Sequence, residues 1–159
     1  MLSTLGVERI TISNEINKYQ IENLVKNYVE TYGTHPNFEM IVYGRATLMH
    51  SKYCPLRRLD MCGKCRSGKF ALRDDYETFP LRFNDDCTIN LLNSKTLNLL
   101  DELNNIHGIN YFRLVFTTET LEEMKKILEI AQNKLNGTDF EKSFNDRKHT
   151  RGNFKKQLL

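Results

Sequence analysis

Apolar and polar positions along this chain follow two different periods, and their succession predicts strands and helices in turn. Residues 7–13 alternate with a period of two and are rich in β-branched side chains, which is typical of a strand. Residues 18–31 repeat apolar side chains at helical spacing, between a potential N-cap at Asn17 and a stop at Gly33. Residues 38–44 are almost continuously apolar, which indicates a strand that is covered on both faces, as in a parallel sheet.

The second half of the chain repeats the order of strand and helix. Residues 88–92 predict a short strand, and residues 97–106 carry leucines at helical spacing. Residues 111–116 predict a further strand, and residues 120–135 an amphipathic helix with a start signal at Thr118. Such alternation predicts a parallel sheet with right-handed crossovers. We therefore expect an α/β fold that forms half of a TIM-like barrel, whose two open strand edges need a cover.

Residues 50–88 interrupt this pattern, because they contain many charges and no helical periodicity. Within them, residues 70–83 are typical of a β-hairpin that turns near Asp74 and Asp75. We expect one half-barrel domain over residues 1–137 with a cysteine-rich insertion, and then a basic, polar C-terminal tail over residues 138–159. No apolar run is long enough to span a bilayer, so no membrane partner is expected.

All four cysteines of the chain lie in this insertion, with the spacing C-x7-C-x2-C-x21-C. They are Cys54, Cys62, Cys65 and Cys87. The Cys62-Gly-Lys-Cys65 turn would bring two sulfurs within reach of one metal ion, and a disulfide framework is the alternative. The N-terminus lacks the long apolar segment of a signal peptide. We therefore expect a cytoplasmic protein with reduced thiols, which favours a metal or cluster site.

Positive charge is concentrated around these cysteines. Residues 52–73 contain seven lysines and arginines, with Asp60 as the single acid. These cations would offset the negative charge of a four-thiolate site, or would contact a phosphate-bearing partner such as RNA. A solvated loop is the alternative interpretation.

Three arginines are candidate substrate-binding residues. Arg45 and Arg113 fall near the carboxyl ends of predicted strands, where barrel folds carry their function. Each of them would otherwise pair with Glu39 inside the barrel, and this is the favoured interpretation for Arg113. Arg151 lies in the basic tail, where it would contact an RNA backbone or remain solvated. No H-E-x-x-H or nucleophile-elbow motif is present, so we assign no catalytic residue.

A series of segments matches, in order, the motifs of a known family. They are Glu39-Met-Ile-Val-Tyr-Gly-Arg-Ala-Thr-Leu-Met, Ser51-Lys-Tyr-Cys-Pro-Leu, Cys62-Gly-Lys-Cys, Phe79-Pro-Leu, Phe112-Arg-Leu-Val-Phe and Thr150-Arg-Gly-Asn-Phe-Lys. Together they resemble the collagenase-like peptidases, peptidase family U32, over nearly the whole chain. The chain resembles the second half of that family's barrel-like domain. The resemblance therefore implies that a missing N-terminal half, or a second copy of this chain, is a partner.

The resemblance also implies several activities. The family label implies a peptidase, whereas other members resemble hydroxylation factors for tRNA, ribosomal RNA or a ubiquinone precursor. In the ubiquinone branch four cysteines bind a 4Fe-4S cluster, and by position Cys54, Cys62, Cys65 and Cys87 would be the ligands here. Asn153 replaces the histidine of the family's closing motif, which would impair a function that depends on that histidine.

Zinc is the alternative cofactor. An all-cysteine zinc site leaves no open coordination position, so it would be structural. The alternative function is therefore a non-catalytic metal-binding module that completes a barrel with a partner chain.

Overall fold

The computed structural model describes residues 6–138 and 148–156 of the 159-residue chain. The elements, in chain order, are β1 (Ile10–Thr11), α1 (Lys18–Tyr32), β2 (Phe38–Gly44), β3 (Thr47–Ser51), α2 (Pro55–Arg58), a 3-10 turn (Lys64–Arg66), β4 (Phe70–Arg73), β5 (Thr78–Phe83), β6 (Ile89–Leu92), β7 (Thr96–Asn98), a 3-10 helix (Leu100–Asn105), β8 (Tyr111–Val115), α3 (Leu121–Leu135) and β9 (His149–Thr150). No described helix has both the length and the apolar character that crossing a membrane requires.

The chain divides into two compact units. Unit 1 comprises Met1–Gly44 with Leu97–Leu159, and unit 2 comprises Arg45–Thr96. Unit 1 contains the parallel strand pairs, and the sheet of unit 2 is antiparallel. The fold is therefore mixed α/β. The described strands form no closed barrel, and the predicted half TIM barrel is not confirmed.

The two long helices of unit 1 begin at capping boxes. The Asn17 side chain accepts a hydrogen bond from the backbone N–H of Gln20, whose own side chain accepts one from Asn17. Gly33 ends α1 in the left-handed conformation, as its sequence position predicted. The cap of α3 is Thr120 rather than the predicted Thr118. The reason is that the acid three residues after Thr120, Glu123, completes a capping box.

The sheet of unit 1 is organised around β2. Strand β8 runs parallel to β2 along one edge, from the pair Glu39–Tyr111 to the pair Gly44–Val115. On the other edge β1 pairs in parallel with the start of β2, and β7 pairs antiparallel with its end. The first strand is shorter than predicted. The prediction for β2 is confirmed, since six of its seven residues are buried.

Two further predictions for the sheet are wrong. The strand predicted over residues 88–92 is β6, which pairs antiparallel with β3 and β5 in unit 2 instead of joining the parallel sheet. Residues 97–106 begin as strand β7 and continue as a 3-10 helix rather than an α-helix. The Asn98 side chain accepts a hydrogen bond from the backbone N–H of Leu100, which marks the start of that helix. The leucines at this helical spacing are nevertheless buried: Leu99, Leu100 and Leu103.

Unit 1 has its own hydrophobic core. Among its described residues, fifteen buried side chains form one cluster, in which Val42 and Leu100 are completely buried. Phe154, from the predicted C-terminal tail, is also part of this core. Its carbonyl oxygen accepts a hydrogen bond from the backbone N–H of Lys18, at the start of α1. The described part of the tail, residues 148–156, therefore packs as part of unit 1, and the rest of the predicted tail lies outside the described residues.

Unit 2 is built on a four-stranded sheet with the strand order β3-β6-β5-β4. The predicted hairpin is confirmed as β4 and β5, and the Asp74 carboxylate accepts hydrogen bonds from the backbone N–H groups of Tyr76 and Glu77 in its turn. The core of this unit is small. Its buried apolar side chains are Leu56, Ile89 and Leu92.

Candidate metal centre in unit 2

The strand register defines the two ends of the unit 2 sheet. Ser51, the last residue of β3, lies opposite Ile89, the first residue of β6. Phe83, the last residue of β5, lies opposite the same Ile89. Phe70, the first residue of β4, lies opposite Leu81 near the end of β5. The end of β3, the start of β4, the end of β5 and the start of β6 therefore meet at one end of the sheet.

All four cysteines are in the connections at this end, which we call the cysteine end. Cys54 follows β3 and occupies the N-cap position of α2. Cys62 and Cys65 lie in the connection that leads into β4. Cys87 lies in the loop between β5 and β6. The topology thus brings the three cysteines of the β3–β4 connection to the same end of the sheet as Cys87 of the β5–β6 loop.

Each cysteine has a distinct local setting. Cys54 precedes Pro55, which opens α2. Gly63, between Cys62 and Cys65, has a φ of 87° and leads into the 3-10 turn that contains Cys65. Cys87 has a φ of 62°, a left-handed conformation that is uncommon outside glycine. All four thiols are free; Cys62 and Cys87 are exposed, whereas Cys54 and Cys65 are half-buried.

The four sulfurs do not form a finished metal site in this structure. Among the described residues, no group of three or more His, Cys, Asp or Glu side chains is placed to hold a metal ion. The donor set nevertheless suits zinc or an iron–sulfur cluster. The cysteines therefore fit such a group in ligand type, and the topology brings them to one end of the sheet.

Acidic and histidine side chains also lie at or near the cysteine end. Asp86 accepts hydrogen bonds from the hydroxyl and the backbone N–H of Thr88, and these bonds hold the pKa of the Asp86 carboxyl below its ordinary value, with a smaller contribution from His50. His50 is exposed, and its Nδ1 lies 2.7 Å from Oδ1 of Asn90. Asp86 and His50 therefore already have partners within unit 2.

The structure places the three candidate substrate-binding arginines on three different partners. Arg45 donates hydrogen bonds to the backbone carbonyl oxygens of Asn93, at 2.7 Å, and of Ser94. Arg113 pairs with Glu39 at 2.7 Å, as the favoured interpretation of its position predicted. Arg151 pairs with Glu102. Their role in substrate binding stays a prediction.

Sequence reasoning missed two cations that complete these pairs. Arg9 is a second partner of Glu39, and the alternation of β1 was the signal that places Arg9 and Thr11 on one face. The Thr11 hydroxyl, followed by the Arg113 and Arg9 guanidiniums, holds the pKa of Glu39 below its ordinary value.

Lys155 is the second missed cation, and it contacts Glu102 at 2.6 Å. Burial raises the pKa of Glu102, whereas hydrogen bonds from Lys155 and Asn105 and the charge of Arg151 lower it. The lowering effects together are larger, so the pKa of Glu102 lies below its ordinary value. Lys155 lies 53 positions from Glu102 in the sequence, so no local signal could have identified the pair.

Comparison with known proteins identifies the family of this chain. The model of the family described as Peptidase family U32 matches residues 1–156. No curated protein and no solved structure matches the chain. The match covers nearly every residue, including all four cysteines and the strands of both units. The chain belongs to peptidase family U32.

Proposed function

We propose that unit 2 binds a metal centre through Cys54, Cys62, Cys65 and Cys87, and that this centre is required for the function of the protein. One observation carries the proposal: the β3–β4 connection, with three cysteines, and the β5–β6 loop, with the fourth, lie at the same end of one antiparallel sheet. Cysteines that only fill a core would not need to be grouped in exposed and half-exposed loops.

The small core of unit 2 supports the same proposal. Three buried apolar side chains, spread over residues 45–96, provide little hydrophobic stabilisation. Domains of this size often depend on disulfides or metals to remain folded. The cysteines of unit 2 are free, so a metal centre is the cross-link that its side chains offer.

The charge of unit 2 also agrees with a thiolate site. Residues 45–96 contain ten lysines and arginines and six acids, a net charge of +4, although the whole chain carries only +3. Four thiolates would bring negative charge to the cysteine end, and the cations from Lys52 to Lys69 would offset it. The same cations would bind the phosphate backbone of RNA.

We favour a 4Fe-4S cluster, because one branch of the family binds such a cluster through four cysteines that correspond by position to these four, and zinc is the alternative. When bound, an iron–sulfur cluster supplies electron transfer or a binding position for an oxygen donor. The proposed reaction is hydroxylation of tRNA, ribosomal RNA or a quinone precursor, and peptide hydrolysis is the activity that the family label suggests. With zinc, unit 2 would be a structural module.

Metal analysis of the full chain purified without oxygen tests this proposal. We expect about four iron atoms and about four acid-labile sulfides per chain, with a brown colour. One zinc ion without sulfide would instead support the structural module. The Cys62→Ser/Cys65→Ser variant should lose the metal, and His50→Ala, which changes an exposed side chain of the same unit, should retain it. Metal retained by the double-cysteine variant would contradict the ligand assignment.

RNA binding is a separate test. Binding of the chain to tRNA should weaken steeply as salt increases, because each phosphate contact releases counterions. Replacing Lys64 and Arg66 by glutamine should reduce the salt slope, whereas Lys26→Gln, on α1 of unit 1, should leave it unchanged. Absence of tRNA binding at low salt would exclude RNA and leave a small-molecule or peptide substrate.

The proposed partner is a polypeptide that supplies the N-terminal half of the family's barrel-like domain, or a second copy of the chain. Strand β8 pairs with β2 alone among the described strands, which leaves its other edge open to a further strand. Sedimentation of the chain, alone and with an added N-terminal half from a family member, tests this idea. A chain that stays monomeric in both mixtures would contradict it.

A further inference from the structure

A buried acid in the middle of the unit 1 sheet holds two arginines. The Glu39 side chain is only 5% exposed and lies on the central strand β2. Arg9 contacts its Oε2 at 3.3 Å, and Arg113 contacts its Oε1 at 2.7 Å. The Thr11 hydroxyl donates a hydrogen bond of 2.8 Å to the same carboxylate. This cluster is in unit 1, so it is independent of the proposed metal centre.

The strand register explains why these side chains meet. Thr11, Glu39 and Tyr111 lie opposite one another on β1, β2 and β8, and residues opposite each other across a ladder share a face. Arg9 precedes Thr11 by two positions, and Arg113 follows Tyr111 by two, so both lie on that face as well. The Arg9 guanidinium lies over the Tyr111 ring, 3.7 Å from its centroid. We call this group the arginine face.

The arginine face has one more positive charge than negative charge. Two guanidiniums share one carboxylate, which leaves a net charge of +1. The side chains of Arg9 and Arg113 are 46% and 50% exposed. Each arginine contacts Glu39 through one terminal nitrogen. In the described part of the chain, neither arginine has a second acidic partner. Several N–H donors of each arginine therefore point to solvent or remain free for a ligand.

The buried carboxylate gives the arginines a fixed position. Glu39 holds both guanidiniums through charge-assisted hydrogen bonds. The Tyr111 ring, which lies against the Arg9 guanidinium, further restricts the position of Arg9. A pair of guanidiniums that is already held in place loses little entropy when an anion binds. A phosphate offers three acceptor oxygens and up to two negative charges, so it can accept hydrogen bonds from both arginines at once.

We propose that the arginine face, formed by Arg9, Glu39, Tyr111 and Arg113, binds a phosphate group. Arg9 and Arg113 donate to the phosphate oxygens, and Glu39 acts as a positioning residue that does not touch the ligand. Two guanidiniums on one carboxylate, with Arg9 held over the Tyr111 ring, present two exposed forks of N–H donors on the same face. The Glu102 cluster has the same surplus charge and comparably exposed cations, Arg151 and Lys155. It differs in that one of its two cations is a lysine, which lacks the planar fork of a guanidinium.

A phosphate titration of the full chain tests this assignment. The Nε–Hε signals of arginines in 15N-labelled protein are followed as inorganic phosphate is added, with sodium chloride lowered to keep the ionic strength constant. We expect saturable shifts of the two signals that disappear in Arg9→Gln and Arg113→Gln. Each of these variants should weaken phosphate binding by about tenfold, since each removes charge-assisted hydrogen bonds.

Two further variants make the result decisive. Lys26→Gln, which removes an exposed cation of α1 in the same unit, should bind phosphate with unchanged affinity. If Arg113→Gln fails to fold, as judged by circular dichroism, Arg113→Lys decides. It keeps the charge beside Glu39 but loses the guanidinium fork, so it should still weaken binding.

Three results would overturn the proposal. The first is a pair of arginine signals that respond to phosphate no more than to chloride, which would indicate an adventitious ion only. The second is an equal loss of affinity in Lys26→Gln, which would indicate diffuse charge. The third is stronger binding of a polyglutamate peptide than of phosphate, which would make an acidic protein segment the occupant of this face.

Discussion

The two units of this protein differ in the size of the hydrophobic core, in net charge and in cysteine content. The described part of unit 1 has a core cluster of fifteen buried side chains and two capped helices. Unit 1 has a net charge of −1 and contains no cysteine. Unit 2 has three buried apolar side chains, a net charge of +4 and all four cysteines. The comparison shows that cysteine is concentrated where hydrophobic burial is weakest. A unit with a small core needs another source of stability, and a metal centre is one such source.

The largest expected effect comes from removing the proposed metal. In the Cys62→Ser/Cys65→Ser variant, or after treatment with a chelator, the strands of unit 2 should lose their hydrogen-exchange protection, because metal binding would be a large part of the folding free energy of that unit. The amides of β2 in unit 1 should remain protected, since their core does not contain cysteine. Mass spectrometry of exchange in peptides covering β2, β4 and β5 measures both. Unchanged protection of β4 and β5 would remove the proposed difference between the units.

The core of unit 1 should respond strongly to truncation. Leu100 is completely buried, so Leu100→Ala should reduce the free energy of unfolding of unit 1 by about 2–5 kcal/mol. Leu121→Ala, at an exposed leucine of α3, should change it by less than about 0.5 kcal/mol. Urea titration, with hydrogen exchange of the β2 amides as the readout, measures both changes. Equal effects of the two substitutions would mean that unit 1 does not depend on its core.

Unit 1 should also lose stability in acid through Glu102. Its pKa is held below the ordinary value of 4.5, so the ionised carboxylate stabilises the fold above about that pH. This contribution is lost as the pH falls through the lowered pKa. Glu102→Gln should therefore reduce the free energy of unfolding at neutral pH by about 1–2 kcal/mol and lower the melting temperature accordingly. The difference in melting temperature between the variant and the wild type should shrink below pH 4.5. Melting curves between neutral and acidic pH would show a constant difference if the carboxylate had no such role.

The smallest effect should come from the cap of α3. Thr120→Ala removes the hydroxyl that accepts a hydrogen bond from the Glu123 backbone, so it should cost about 1 kcal/mol. Thr120→Ser keeps the hydroxyl and should be nearly neutral. Thermal unfolding of the two variants makes the comparison, and equal melting temperatures would argue against the capping box.

Local elements were predicted well because their signals are local. The bounds of α1, the strand β2 and the β4–β5 hairpin follow from caps, apolar runs and turn residues within a few positions of each element. The predicted stop of α3 at Asn136 is confirmed by its C-cap. The helical spacing of leucines in residues 97–106 correctly identified buried positions, although strand β7 and a 3-10 helix form there. Burial and helix type are therefore separate predictions, and the pattern supports only the first.

The choice of partners depended on contacts between distant segments. Residues 88–92 read as a strand in the sequence, but only the tertiary structure pairs this strand with β3 and β5 rather than with β2. The alternation of strands and helices along the sequence therefore identified each strand, but it did not identify the sheet to which the strand belongs. The same limit applies to Arg45, whose partners are backbone carbonyls that no side-chain pattern reveals.

The sequence by itself determined the family, the two long helices, most strands and the grouping of four cysteines in one segment, because these features depend on neighbouring residues. The tertiary structure decided that the cysteine-bearing connections meet at one end of an antiparallel sheet, and that Arg9 and Arg113 converge on Glu39. Strand register places side chains from distant positions on one face or at one end of a sheet. A one-residue change of register would move each of them to the opposite face, and no local pattern specifies it completely.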